Sequence, residues 1–375
     1  MHHPAPLESF AAPVQKALAA PGPLRMMAAR GMAPLPPPVL VSVVYLTRFD
    51  ADDQLRAAAT ATFAKLPPPI LDAALAAADI HPAVLDALSE TYGHRRDIDE
   101  RIVKHSAALA DTIVSIAQRA DEALCELIAT NERRLLANKA IIEALYLNEH
   151  LRMSTADRLC ELAARNGVEL DIPGFADIAK SLENALIPEA GEECPSDQMF
   201  RESIVESQSI DETEDGDIFV RDEKGEAKEI KGDFQKVAKR IEDMTISEKI
   251  RVAMLGSAAQ RRVLACSPVR SIAEAAVKSP RIQPDEVQKL AMLPEANEEV
   301  LRQISRRGDW LKSSRTRYYL ARNPKTPANI AITQLSHLSE FDLKALEKSR
   351  TVPMQVRNIA KQILEKRTQK RSDQK

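Results

Sequence analysis

The feature that most constrains this chain is a proline-punctuated joint that recurs in its second half. At 276–287 an apolar helical stretch ends in Ser279-Pro280-Arg281-Ile282-Gln283-Pro284, and a new one begins at once. The joint returns at 320–330 with Asn323-Pro324-Lys325-Thr326-Pro327, and more loosely at 345–356 with Ser349-Arg350-Thr351-Val352-Pro353. Proline cannot continue a helix, but it starts one well, because the first turn leaves its N–H unused anyway. Such joints cut the chain into short helices with short links, and no strand-rich fold fits them. Composition agrees. Aromatic residues make up only 4% of the 375 residues while Ala and Leu abound, which favours helices over sheets.

Helical periodicity begins near Val39. Asp50 or Asp52 is placed to cap a helix carrying Leu55, Ala59 and Phe63 on one face, and Pro67-Pro68-Pro69 follows. Ser154-Thr155-Ala156-Asp157 reads as a capping box, and Asn166-Gly167 as the stop of the same helix. A second capping box, Thr245-Ile246-Ser247-Glu248, opens a helix ending at Gly256. Pro284, Pro327 and Pro353 fall where first helical turns are expected.

The domain reading follows from composition. Residues 1–37, rich in Ala and Pro, predict a disordered arm. Residues 38–187 predict an N-terminal helical-repeat domain, 188–232 an acidic disordered linker with a marginal hairpin near Ile218-Phe219-Val220, 233–366 a basic C-terminal helical-repeat domain, and 367–375 a polar tail. The net charge of −3 hides this asymmetry. Residues 188–230 carry 4 Lys and Arg against 15 Asp and Glu, whereas residues 231–375 carry 30 against 16, a net +14. The expected fold class is all-α, an irregular α-solenoid in two segments joined by the acidic linker.

The turns Ser279-Pro280-Arg281-Ile282 and Asn323-Pro324-Lys325-Thr326-Pro327, with Met244 to Ile250, resemble those of bacterial HEAT/armadillo-like and leucine-rich-repeat-variant proteins, an uncharacterised group. The resemblance covers about residues 240–366 and, more weakly, 39–186. It implies a stack of short helices and brings no catalytic residues.

Chemistry-bearing motifs are missing from the sequence. The eleven glycines form no phosphate-binding loop, no H-E-x-x-H occurs, and Ser and Cys lack a nucleophile elbow. No cofactor or metal is expected. Cys125, Cys160, Cys194 and Cys266 form no C-x-x-C pair, which predicts a reducing, cytoplasmic setting. No apolar run approaches the length of a membrane span.

One cluster stands out. Arg302, Arg306, Arg307, Trp310, Lys312, Arg315, Arg317, Arg322 and Lys325 interleave cations with aromatics, Tyr318 and Tyr319 included. Cations neutralise phosphates and aromatics stack on bases, so the basic domain is a candidate for nucleic acid. The competing reading puts Trp310, Tyr319 and Leu320 in the core and the arginines on a solvated rim. The preferred function is a non-enzymatic protein-interaction scaffold, its partner a protein with an acidic patch. An intramolecular contact between the acidic linker and the basic domain is a further expectation.

Overall fold

The computed structural model describes residues 5–93, 95–183, 194–207, 218–221, 227–349 and 351–372. The chain divides into two compact units, Met1–Leu151 and Arg152–Lys375. The first holds α1 (Ala12–Leu18), α2 (Gly22–Ala29), α3 (Pro37–Thr47), α4 (Asp53–Phe63), α5 (Pro68–Leu75), α6 (Pro82–Tyr92), α7 (Arg96–Lys104), α8 (Ala110–Arg119), α9 (Glu122–Ala129), α10 (Glu132–Ala137) and α11 (Lys139–Tyr146). The second opens with α12 (Met153–Arg165), α13 (Phe175–Leu182) and α14 (Pro195–Ser207). A two-stranded antiparallel hairpin follows, β1 (Phe219–Arg221) with β2 (Ala227–Ile230), Phe219 facing Ile230. Then come α15 (Gly232–Glu242), α16 (Ile246–Leu255), α17 (Ala258–Ala265), α18 (Arg270–Lys278), α19 (Pro284–Met292), α20 (Glu298–Arg306), α21 (Ser314–Arg322), α22 (Ala328–Leu335), α23 (Glu340–Lys348) and α24 (Met354–Ser372). The described chain is all-α apart from the hairpin. Among the described residues no helix is long and apolar enough to cross a membrane.

Most helices pack on their chain neighbours and on the helix two places along, while α8 packs on α11 and α13 on α16, three places along. In the second unit α15, α17, α19, α21 and α23 touch in succession, as do α16, α18 and α20, and α22 touches α24. In the first unit α1, α3, α5, α7 and α9 do the same. Each helix buries its apolar stripe against these neighbours. Leu55, Ala59 and Phe63 of α4 are buried as the spacing predicts, and Asp52 caps that helix by accepting the Gln54 N–H at 2.8 Å. The second capping box is also present. Thr245 Oγ1 accepts the Glu248 N–H and Glu248 Oε2 accepts the Thr245 N–H at 2.6 Å.

A second bonding pattern ties helix to helix at the joints. A helix leaves its last carbonyls without intrahelical donors. Asn323, just past α21, donates its amide to Ala291 O at 2.9 Å and Leu293 O at 2.7 Å, at the end of α19. Its Oδ1 accepts the Lys325 N–H at 3.0 Å. Ser279, just past α18, does the same work with a hydroxyl: it donates to Met254 O at 2.7 Å, near the end of α16, and accepts the Arg281 N–H at 3.2 Å. Asn148 donates to Ala117 O and Ala120 O at 2.8 and 2.9 Å and accepts the His150 N–H. His105 Nδ1 accepts the Ala107 N–H, which leaves Nε2 to donate to Ala77 O at 3.1 Å. Arg281, Arg134 and Arg367 add donors to Leu255 O, Val103 O and Leu338 O. The joints at Ser279 and Asn323 are therefore welds between successive layers as well as turns.

Four expectations need correction. Residues 1–37, where composition predicts a disordered arm, contain α1 and α2, with Phe10, Val14, Ala28 and Ala29 buried. Pro13 and Pro23 sit in the first turns of these helices and start them. Within 188–232, read as a disordered linker, residues 195–207 form α14 with Phe200 and Ile204 buried, and the hairpin is present. The acidic run 211–217 lies outside the described residues. The units divide after Leu151, not near 187, because α12 packs on α14 and α13 on α16. Ser154 is no N-cap: it lies inside the first turn of α12, and its N–H and hydroxyl go to Asp197 at 2.8 and 3.0 Å.

Replacing Asn323 by Ala removes three hydrogen bonds at a buried joint and strands Ala291 O and the Lys325 N–H, while Leu293 O keeps the Ala296 N–H. It should destabilise the protein by about 2–3 kcal/mol, more than Ser279→Ala, which strands one carbonyl and one N–H. Urea unfolding followed by circular dichroism measures both, and the asparagine variant should have the lower midpoint.

Candidate functional site

The basic cluster spans α20, a single 3-10 turn at Trp310–Lys312, and α21. The α20 register puts Val300, Leu301 and Ile304 inside and its charges outside. Arg302 Nε donates to Glu298 at 3.0 Å, one turn back. Arg306 lies 3.7 Å from Glu299, which Arg270 also approaches at 3.2 Å. Arg307 stacks over the half-buried Trp310 ring, 4.4 Å from its centroid. Lys312 binds Asp309 at 2.5 Å, and that bond holds the Asp309 carboxyl below the usual carboxylate range.

Two more of the cations serve the fold. Arg317 donates to Leu311 O at 2.6 Å and to Gln334 Oε1 at 2.9 Å. Lys325 donates to Glu295 O at 2.8 Å, bridging one joint to the preceding one. Arg315 and Arg322 are exposed on α21. The cluster is thus real in space but largely self-neutralised. Arg302, Arg306 and Lys312 face carboxylates, Arg317 and Lys325 face carbonyl or amide oxygens, and Leu320 is in the core as the competing reading has it.

The sequence reading misses a second set of charges, which is buried. Arg251 and Arg262 are fully buried, and Arg261 is nearly so. Arg261 of α17 forms a two-pronged bridge to Glu286 of α19 at 2.7 and 2.9 Å and donates to Gly256 O at 2.6 Å. Part of the positive excess of residues 231–375 therefore lies inside. Arg251 of α16 lies over the Phe200 ring at 4.4 Å and reaches Met153 Sδ at 3.7 Å, so it is clamped between α12 and α14. Beside it Asp157 of α12 accepts the Ser247 hydroxyl at 2.5 Å. Burial pushes the Asp157 carboxyl up to about 6, against the Ser247 bond and the Arg251 charge, which pull it down; Glu248 and Asp197 add to the rise. Burial also works on Asp197, but bonds from Ser154 and Cys194 outweigh it and hold that carboxyl low. The sequence signal for this node is weak: Ser and Asp near a helix start look like a cap whether they bind their own backbone or another helix.

Among the described residues no group of three or more His, Cys, Asp or Glu side chains is placed to hold a metal ion. Cys125 and Cys160 are buried, and Cys194 and Cys266 are half-buried. An open depression of about 640 Å³ lies between α12 and α13, floored by Ala164, Ala176 and Ala179 and rimmed by Glu161, Arg165 and Lys180. It gathers no recognisable catalytic constellation. Compared with known protein families, curated proteins and solved structures, the chain matches none.

The buried carboxyl gives a pH signature. Its folded value, about 6, lies above the unfolded value near 3.9, so the folded state holds the extra proton between them. The stability that this residue contributes is full below about pH 4 and falls as pH rises toward 6. Asp157→Asn cannot titrate. The melting temperature of the variant relative to the parent should therefore rise between pH 4 and 6 and level off above, whatever its constant offset. Thermal unfolding across pH 4–7.5 checks this; a flat difference would show that the carboxyl does not titrate inside the fold.

Proposed function

We propose that this chain is a protein-interaction scaffold of the α-solenoid kind, built like HEAT/armadillo arrays. The observation that carries the reading is the regular packing of helix on next-but-one helix, with joint bonds spanning about 25–32 residues. An array whose contacts are all to near neighbours grows by addition and presents long surfaces, and proteins of that build serve mainly as binding platforms. Fold alone does not name a partner. The partner class comes from charge, and an acidic protein surface suits the cations left outward on α20 and α21.

The nucleic-acid reading has one observation in its favour, the Arg307–Trp310 stack. Against it stands the self-pairing of the neighbouring cations. Among the described residues Arg307, Arg315 and Arg322 are the cations of the cluster that face neither a carboxylate nor a carbonyl or amide oxygen, so about three phosphate contacts form and binding falls only about as the third power of salt. An intramolecular contact with the acidic run 211–217 would compete for the same cations. Deleting that run from the intact protein should then strengthen capture of acidic ligands at low salt.

Affinity capture of the intact chain, with and without nuclease, tests the scaffold reading. A stoichiometric protein partner that survives nuclease and co-elutes in gel filtration is the expected result. Recovery of nucleic acid alone, or of nothing at stoichiometric level, contradicts it.

A further inference from the structure

The outward face of α21 is built differently from the rest of the basic cluster. Thr316, Leu320 and Ala321 point inward and are buried. At 100° per residue the opposite face is centred on Arg315 and Arg322, seven residues and roughly 10.5 Å apart along the axis. Both are exposed. Tyr318, which also packs on the core shared with α22, α23 and α24, flanks this line on one side and Tyr319 on the other. Both are half-buried, and their rings meet edge to face at 5.6 Å and 61°. Arg317, the remaining arginine of the helix interior, is turned away to Leu311 O and Gln334 and takes no part. The result is a short strip of two guanidinium groups in register, edged by two amphipathic rings.

We infer that this strip docks an acidic helix of a partner protein, with one carboxylate received by each of Arg315 and Arg322. The inference rests on the scaffold reading and names the chemistry of its partner. Three features fit. Carboxylates at i and i+7 of a helix repeat at the same rise, roughly 10.5 Å, as the two arginines. Guanidinium is suited to two-pronged carboxylate bonds, and tyrosine supplies contact area at small entropic cost. The strip is also only two charges long. Its neighbours Arg302 and Lys312 are held by Glu298 and Asp309. Along a nucleic-acid duplex each strand carries a phosphate roughly every 3.4 Å of axis, and two arginines would meet few of them.

The test uses the intact protein and a fluorescent 21-residue helical peptide with Glu at seven-residue intervals and Leu beside them. A peptide of the same composition with the Glu residues scattered around the helix, and a 20-nucleotide single strand, serve as comparison probes. Anisotropy titration should show the ordered peptide binding at least tenfold tighter than the scattered one. Arg315→Glu with Arg322→Glu should abolish that preference, and Arg315→Lys with Arg322→Lys should retain part of it. Lys361→Glu with Lys366→Glu, the same charge change on α24, should leave it intact. Equal binding of the two peptides, or equal loss in the α24 variant, overturns the inference. Tighter binding of the oligonucleotide through the same two arginines overturns it in favour of nucleic acid. If a captured partner persists on the Arg315→Glu, Arg322→Glu protein, the strip is not its site, while the scaffold reading stands.

Discussion

The structure depends on donors placed beside several helix ends to satisfy carbonyls of an earlier helix. Short helices are costly in this respect, since each leaves up to four carbonyls unpaired at its end. Here helices of 6 to 13 residues precede the long α24, so such ends come often. Asn323, Ser279, Asn148 and His105 answer the problem with one geometry: an acceptor for the N–H two residues on, and a donor for a carbonyl of an earlier helix. That requirement selects side chains that both donate and accept, and an amide, a hydroxyl and a neutral imidazole all qualify. Aliphatic residues at these positions could make neither bond.

Because the joint bonds reach only to nearby layers, stability in each unit is built up locally. Polar side-chain links follow the same spacing. Arg261 and Glu286 join α17 to α19, and Gln303 bonds to Glu274 between α20 and α18. The half-buried Asp157–Ser247 contact is one of a few longer-range exceptions, with Arg251 to Met153 and Gln260 to Ser203. It joins residues 90 apart and brings α12 to α16, so the entry to the second unit is fixed by a polar node where the later layers use apolar stripes and joints. Such nodes add little net stability.

Much of this architecture can be read from the sequence, because its signals are local. Pro284 at the first turn of α19, the Thr245–Glu248 box and the Asn166-Gly167 stop, where Gly167 takes φ +68°, are set by residues within one turn. The readings that fail depend on distant partners. Pro-rich composition at 1–37 looks disordered until α3 and α4 supply surface for α1 and α2. The fate of a cation is also non-local: Arg251 and Arg262 differ little in sequence from Arg306, yet two are in the core and one is outside. The basic cluster is legible as a cluster, but its self-pairing is not. The Arg315–Arg322 strip emerges once Arg317 and Lys325 are seen to be occupied by the fold.

The claim that joint bonds weld successive layers is tested most directly by hydrogen exchange on the Asn323→Ala protein. Peptide-resolved exchange under native conditions should quicken in α19, α21 and α22, the layers that meet at this joint, and leave α12, α16 and α18 at parental rates. Uniform quickening across the second unit, or no change beside the joint, would contradict the account.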